Sequence, residues 1–90
     1  MIYNAKVIEA EIKTYDDYHN PGDVAIVLRL HFIDGDVNWE INADKINDVF
    51  KILDIRNFKD IIGASCRIKI EDKVFKNLGH FIEDYWLYKN

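Results

Sequence analysis

Residues 58–86, FKDIIGASCRIKIEDKVFKNLGHFIEDYW, constrain the fold of this chain more than any other stretch. Asn57 opens a short helical turn that Gly63 stops, since glycine is the usual residue just past a helix end. Cys66, Ile68 and Ile70 then alternate with Arg67, Lys69 and Glu71, the period-two pattern of a strand with one buried face. Glu71-Asp72-Lys73 reverses the chain, and the segment that follows breaks at Gly79 and ends in the aromatic residues Tyr85, Trp86 and Tyr88. A helix stop, a strand, a tight turn and a second strand therefore follow one another, so this part of the chain pairs antiparallel.

The first half carries the same signals. Residues 3–13 alternate, with Ile8, Ala10 and Ile12 expected on the buried face and Val7, Glu9 and Glu11 on the other. Residues 24–33 are the most apolar segment, placing Val24, Ile26, Leu28, Leu30 and Phe32 on one side of a central strand, with Arg29 and His31 opposite. Asp34-Gly35 is the expected hairpin turn, and Val37, Trp39 and Ile41 line one side of a third strand. Ile46, Val49, Phe50 and Leu53 then recur at helical spacing, behind Asn42 or Asp44 as cap, over about three turns. The order β-β-β-α-β-β predicts an α+β domain, a small curved antiparallel sheet or an OB/SH3-like partial barrel with one main helix.

Nothing divides the chain. No linker, repeat or low-complexity tract interrupts it, and its one proline, Pro21, sits in the turn signal His19-Asn20-Pro21-Gly22. Ninety residues with 49% hydrophobic and 13% aromatic content suffice for one modest core, so residues 1–90 are expected to form a single domain, to which self-association would add stability. Twelve basic against sixteen acidic residues give a net charge of −4, which argues against a general nucleic-acid binder. Lys6, Glu9 and Glu11 interrupt the first apolar stretch, excluding a secretory leader or membrane span there. With a lone cysteine, Cys66, this gives the expectation of a cytoplasmic protein.

The chemical inventory is thin. His80, Glu83 and Asp84 beside Trp86 form one candidate binding cluster, because carboxylates next to a histidine can fix its tautomer. Tyr15, Asp16, Asp17 and His19 form a second, in a polar loop of the kind that often carries binding residues. The histidine and carboxylates of that loop lack the repeated ligand spacing of a metal site, and Asp34, Asp36 and Glu40 lack the twelve-residue calcium pattern, so no metal or other cofactor is expected. Ser65 and Cys66 adjoin no nucleophile elbow or base, and no glycine-rich phosphate loop is present, so the chain is expected not to be an enzyme. Trp39, with Phe32 and Tyr15, offers stacking platforms near Arg29, Arg67 and Lys69, which supports an OB-like single-stranded nucleic-acid-binding module as the alternative reading.

Asn57-Phe58-Lys59-Asp60-Ile61-Ile62-Gly63, the strand Arg67-Ile68-Lys69-Ile70, and Leu78-Gly79-His80-Phe81-Ile82-Glu83-Asp84-Tyr85-Trp86 together resemble a family of small phage- and prophage-encoded accessory proteins. The likeness covers roughly residues 46–86. The chain departs from the family pattern at Leu78, where isoleucine is usual, at Ala64, where lysine is usual, and in lacking a glycine-rich insertion after the central strand. The resemblance implies an anti-defence role in the cytoplasm of an infected host cell, as in anti-CRISPR proteins or nucleotide sponges. The expected partner is a host defence protein, covered by an acidic surface, or a small signalling nucleotide, enclosed in an oligomer.

Overall fold

The structure is a computed structural model describing residues 1–15 and 23–88, with the side chains of Tyr15 and Asp23 outside that description. Five strands, β1 (Ile2–Tyr15), β2 (Asp23–Phe32), β3 (Gly35–Asn42), β4 (Ser65–Glu71) and β5 (Val74–Gly79), form one antiparallel sheet in the order β3-β2-β1-β4-β5. The sheet curls into a half-barrel. Its two outermost strands approach closely enough for Trp39 of β3 to stack on Phe75 of β5, with ring centroids 4.3 Å apart. The sheet is compatible with the expected small partial barrel, but the helical part is minor: α1 (Ile46–Leu53) is preceded by the 3-10 turn Ala43–Lys45 and followed by another at Phe58–Asp60.

The helix forms where the sequence signals it. The Asn42 side chain accepts a hydrogen bond from the Asp44 backbone N–H at 3.1 Å, and so caps the helical run from its 3-10 start. Asp54, with φ 56°, ends α1 in the left-handed conformation, where its own N–H reaches Lys51 O and the Ile55 N–H reaches Phe50 O. Val49, Ile52 and Leu53 are buried against Ile26, Leu28, Leu30, Ile41, Ile68 and Leu78, so the core is the concave side of the sheet closed by one short helix.

Two expectations need correction. In β1 the pairing shifts between Val7, opposite Leu30, and Glu9, opposite Arg29, which makes Ile8 a bulge. Because side chains alternate strictly, one extra residue swaps the faces. The core-side row is therefore Ala5 and Val7 before the bulge, both buried, and Ala10 and Ile12 after it, where Ala10 is half-buried and Ile12 exposed; Ile8, on the other face, is exposed too. Simple alternation through Ile8 misplaces Val7, which has no exposed surface. The second correction is at the β2–β3 hairpin: Phe32 pairs with Gly35, so the turn residues are Ile33-Asp34 rather than Asp34-Gly35, and Ile33 stands 86% exposed at the apex.

The β4–β5 hairpin stores strain at its turn. Glu71 pairs with Val74, and the two residues between, Asp72 and Lys73, both have positive φ, 52° and 65°. This is the geometry of a primed turn, for which Asn-Gly is the best sequence. The double substitution Asp72→Asn with Lys73→Gly is expected to raise stability by about 0.5–1.5 kcal/mol, read from the urea midpoint; an unchanged or lower midpoint would show that the turn carries no such strain.

Cys66 is buried on the concave side, as its alternation predicts, and burial pushes its thiol up from 9.0 to about 12. Below pH 9.0 folded and unfolded chains both keep the proton; between 9.0 and about 12 only the unfolded chain releases it, so stability falls as pH rises through that window. Cys66→Ala is expected to flatten the decline of the urea midpoint between about pH 8 and about pH 10. Equal declines in the two proteins would remove Cys66 as a cause.

Candidate functional site

Beyond β5 the chain turns back on itself, and residues 80–88 form a strap along the outer edge of that strand. Gly79 and Trp86 make a single antiparallel bridge, with the His80 N–H on Tyr85 O and the Leu87 N–H on Leu78 O, each at 2.8 Å. One residue further, a side chain replaces the backbone as the ladder. The Asn77 amide donates from Nδ2 to Tyr88 O at 2.7 Å, and its Oδ1 accepts the Tyr88 N–H at 3.0 Å, so Asn77 holds the strap as another strand would. Its Oδ1 also accepts the Leu78 N–H, which satisfies a side chain that is only 2% exposed.

Two residues shape the loop of the strap from inside. His80 Nδ1 accepts the backbone N–H groups of Ile82 at 3.1 Å and Glu83 at 3.0 Å, which assigns its proton to Nε2. Arg67 of β4 donates from Nε to His80 O at 2.7 Å and from Nη2 to Glu83 O at 2.5 Å, and its guanidinium lies 5.2 Å from the centre of the Trp86 ring. Trp86 in turn donates from Nε1 to Asp84 at 2.8 Å, while its ring covers Gly79 so closely that a Cβ there would stand 2.5 Å from a ring carbon. His80, Glu83, Asp84 and Trp86 thus come together, as the sequence suggests, but His80 acts as a turn-former and Asp84 as a partner of tryptophan.

The loop leaves its apolar side chains outside. Phe81 stacks on His80, with ring centroids 4.8 Å apart, and remains exposed; Tyr85 is exposed, and Ile82 is 71% exposed. Phe81 borders a groove of about 500 Å³ that Asn4, Lys6, His31, Ser65 and the hairpin apex Ile33 also line. A second groove of about 950 Å³ runs beside the strap, where Lys45, Lys69, Tyr85, Trp86 and Tyr88 meet the acids Asp48 and Asp84. Among the described residues, no three histidine, cysteine or acidic side chains converge as metal ligands would.

The other candidate residues lie apart. Trp39 is half-buried between Phe75 and Tyr88, the latter edge-on at 5.7 Å, and serves as a brace between β3, β5 and the strap. Phe32 packs on Tyr3 at 5.1 Å. Asp16, Asp17 and His19 lie outside the described residues, and of Tyr15 only the strand backbone, opposite Asp23, is described. Sequence reasoning missed Arg67 and Asn77 as organisers of the strap, and Ile33 and Phe81 as exposed neighbours. The one signal available for the last two was an apolar residue where a strand pattern runs out: Ile33 as the last residue of the 24–33 segment and Phe81 past the break at Gly79.

The chain matches no family model, no curated protein and no solved structure.

If Arg67 and the Trp86–Gly79 contact hold the strap, Arg67→Met and Gly79→Ala should each raise amide exchange at residues 82–87 while β1–β3 stay protected. Gly79→Ala is expected to cost about 1–3 kcal/mol, because the added methyl meets the indole ring. Unchanged exchange in both variants would show that the strap is held by its backbone bonds alone.

Proposed function

We propose that this protein is a non-enzymatic binding protein of the phage-accessory kind, which inhibits a host defence protein by covering one of its surfaces inside the host cell. One observation carries this reading: a loop held from within by His80 and Arg67 leaves Phe81 and Ile82 exposed, and Phe81 borders a groove that the more exposed Ile33 also lines. Large apolar side chains on a loop fixed before binding lose little freedom on docking, and such anchors usually dominate the energy of an interface. Glu83 stands exposed on the same loop, and the net charge is −4, so the matching surface on the partner is basic with apolar pockets.

Nucleotide sequestration is the second reading, and the larger groove favours it, since Lys45 and Lys69 lie there with three aromatic rings. Asp48 and Asp84 in the same wall weigh against a phosphate. Against the OB-like single-strand alternative, Trp39 is engaged by Phe75 and Tyr88, and the Arg67 guanidinium by two carbonyls, so neither is presented to a base or a phosphate.

Affinity capture of host proteins by the wild type, Ile33→Asp, Phe81→Ala and Ile82→Asp tests the leading reading. The wild type should retain a host protein, each variant should retain it at least about tenfold less well, and all four should melt at the same temperature. A partner held equally by all four proteins would reject the strap surface. A melting temperature raised by a cyclic or linear nucleotide, with no protein captured, would move the assignment to the larger groove.

A further inference from the structure

One long strand edge is left without a ladder. β1 pairs with β2 from Lys6 to Tyr15, but its other edge pairs with β4 only from Ile2 to Lys6, and Val7 ends that side through Ala64 O and the Gly63 N–H. From Glu9 to Thr14 no strand lies along this edge among the described residues. Open edges invite another strand, and natural proteins blunt them with proline, charged side chains, bulges, inward-pointing charge or a covering element; this edge begins at the Ile8 bulge and carries Glu9, Glu11 and Lys13 on its outer face. This one has no proline, and its core-side positions are Ala10 and Ile12. Ile12 is 55% exposed although its partner on β2, Ile26, has no exposed surface.

We propose that this edge pairs antiparallel with the same edge of a second copy of the chain, about a two-fold axis through Ile12, joining the two five-stranded sheets into one. The register follows from charge. In a symmetric antiparallel pair each residue faces one on the same side of the sheet, so the register is named by the residue on the axis. An axis at Glu9 or Glu11 sets a carboxylate against itself, one at Ala10 sets Glu9 against Glu11, and one at Lys13 sets an ammonium against itself. With the axis at Ile12, isoleucine faces isoleucine, Glu11 faces Lys13 on both sides, and Ala10 faces Thr14. Like charges directly opposite destabilise a ladder, whereas opposite charges and apolar pairs support it. Glu9, further out, is held by Arg29 of its own chain at 3.6 Å. The strap lies along β5, two strands away, so this interface and the proposed partner surface can fail independently.

Sedimentation velocity over a range of protein concentrations tests the proposal. The wild type should approach a mass twice that of the 10.6 kDa chain as concentration rises. Glu11→Lys and Lys13→Glu should each weaken association about tenfold, by setting like charges opposite one another, and the two together should restore it. Ile12→Cys should oxidise to a covalent dimer, because residues facing each other on a two-fold axis lie within disulfide reach and the native Cys66 is buried. A wild type that stays monomeric throughout overturns the proposal. So does a dimer indifferent to both single reversals, or an Ile12→Cys protein that forms no covalent dimer. Circular dichroism of each variant separates lost association from lost fold, and the cysteine result decides the matter if a charge variant unfolds.

Discussion

Strand β1 carries two ladders in succession, and the rest of the molecule depends on how it passes from one to the other. Its first residues join β4 and its remaining length joins β2, so this one strand connects the β1–β3 meander to the β4–β5 hairpin. The crossing is made at Ile8, where the bulge adds a residue to one edge and shifts which side chains face the core. Without that shift Val7 and Ala10 could not both point inward, and either Leu30 or Leu28 on β2 would lose its apolar partner. The bulge also increases local twist, which suits a sheet that must curl far enough for its outer strands to meet through Trp39 and Phe75.

Closure of the half-barrel is a side-chain matter. Trp39, Phe75 and Tyr88 bring together β3, β5 and the strap by ring contacts, while the nearest polar link, Asn77, supplies an amide in place of a strand. Such closure is compatible with a small core, because α1 has only to cover the opening left by the curl. It also explains why the C-terminal cluster is structural at its centre and free at its rim. Arg67, His80 and Trp86 are used to form the loop, and the side chains left outside include Phe81, Ile82 and Tyr85, with the carboxylate of Glu83.

What was legible in the sequence divides along physical lines. Period-two patterns without interruption, as in β2, β3 and β4, gave the right buried faces, because in those strands Ile26, Trp39 and Ile68 have nothing to shift their phase. The pattern failed in β1, since a bulge is set by the partners on both edges and leaves no mark in the local sequence. It failed again at Gly35, where the glycine signal marks the residue after the turn, with φ 131°, and not the turn itself. The cluster of His80, Glu83, Asp84 and Trp86 was legible as a cluster, because its members are neighbours in the chain. The role of Arg67 was not, since its acceptors are backbone carbonyls on a segment that only the fold brings near.

The ladder between Ile2–Lys6 and Ser65–Lys69 has a further consequence, for the order in which the molecule can be made. The other strand pairs are between neighbours in sequence, so the β1–β3 meander can form as soon as it is synthesised, but its β1 edge must wait for β4. A chain still on the ribosome therefore holds an incomplete sheet, with Ala5 lacking its β4 neighbour Cys66 and Val7 lacking Gly63 and Ala64, which lead into β4. The joining of distant segments is the slow kind of contact, because the entropy of closing the long intervening loop is lost before the contact forms. Completion of the domain is thereby tied to the emergence of β4, and the most local parts of the sheet are the earliest to be exposed to the cell.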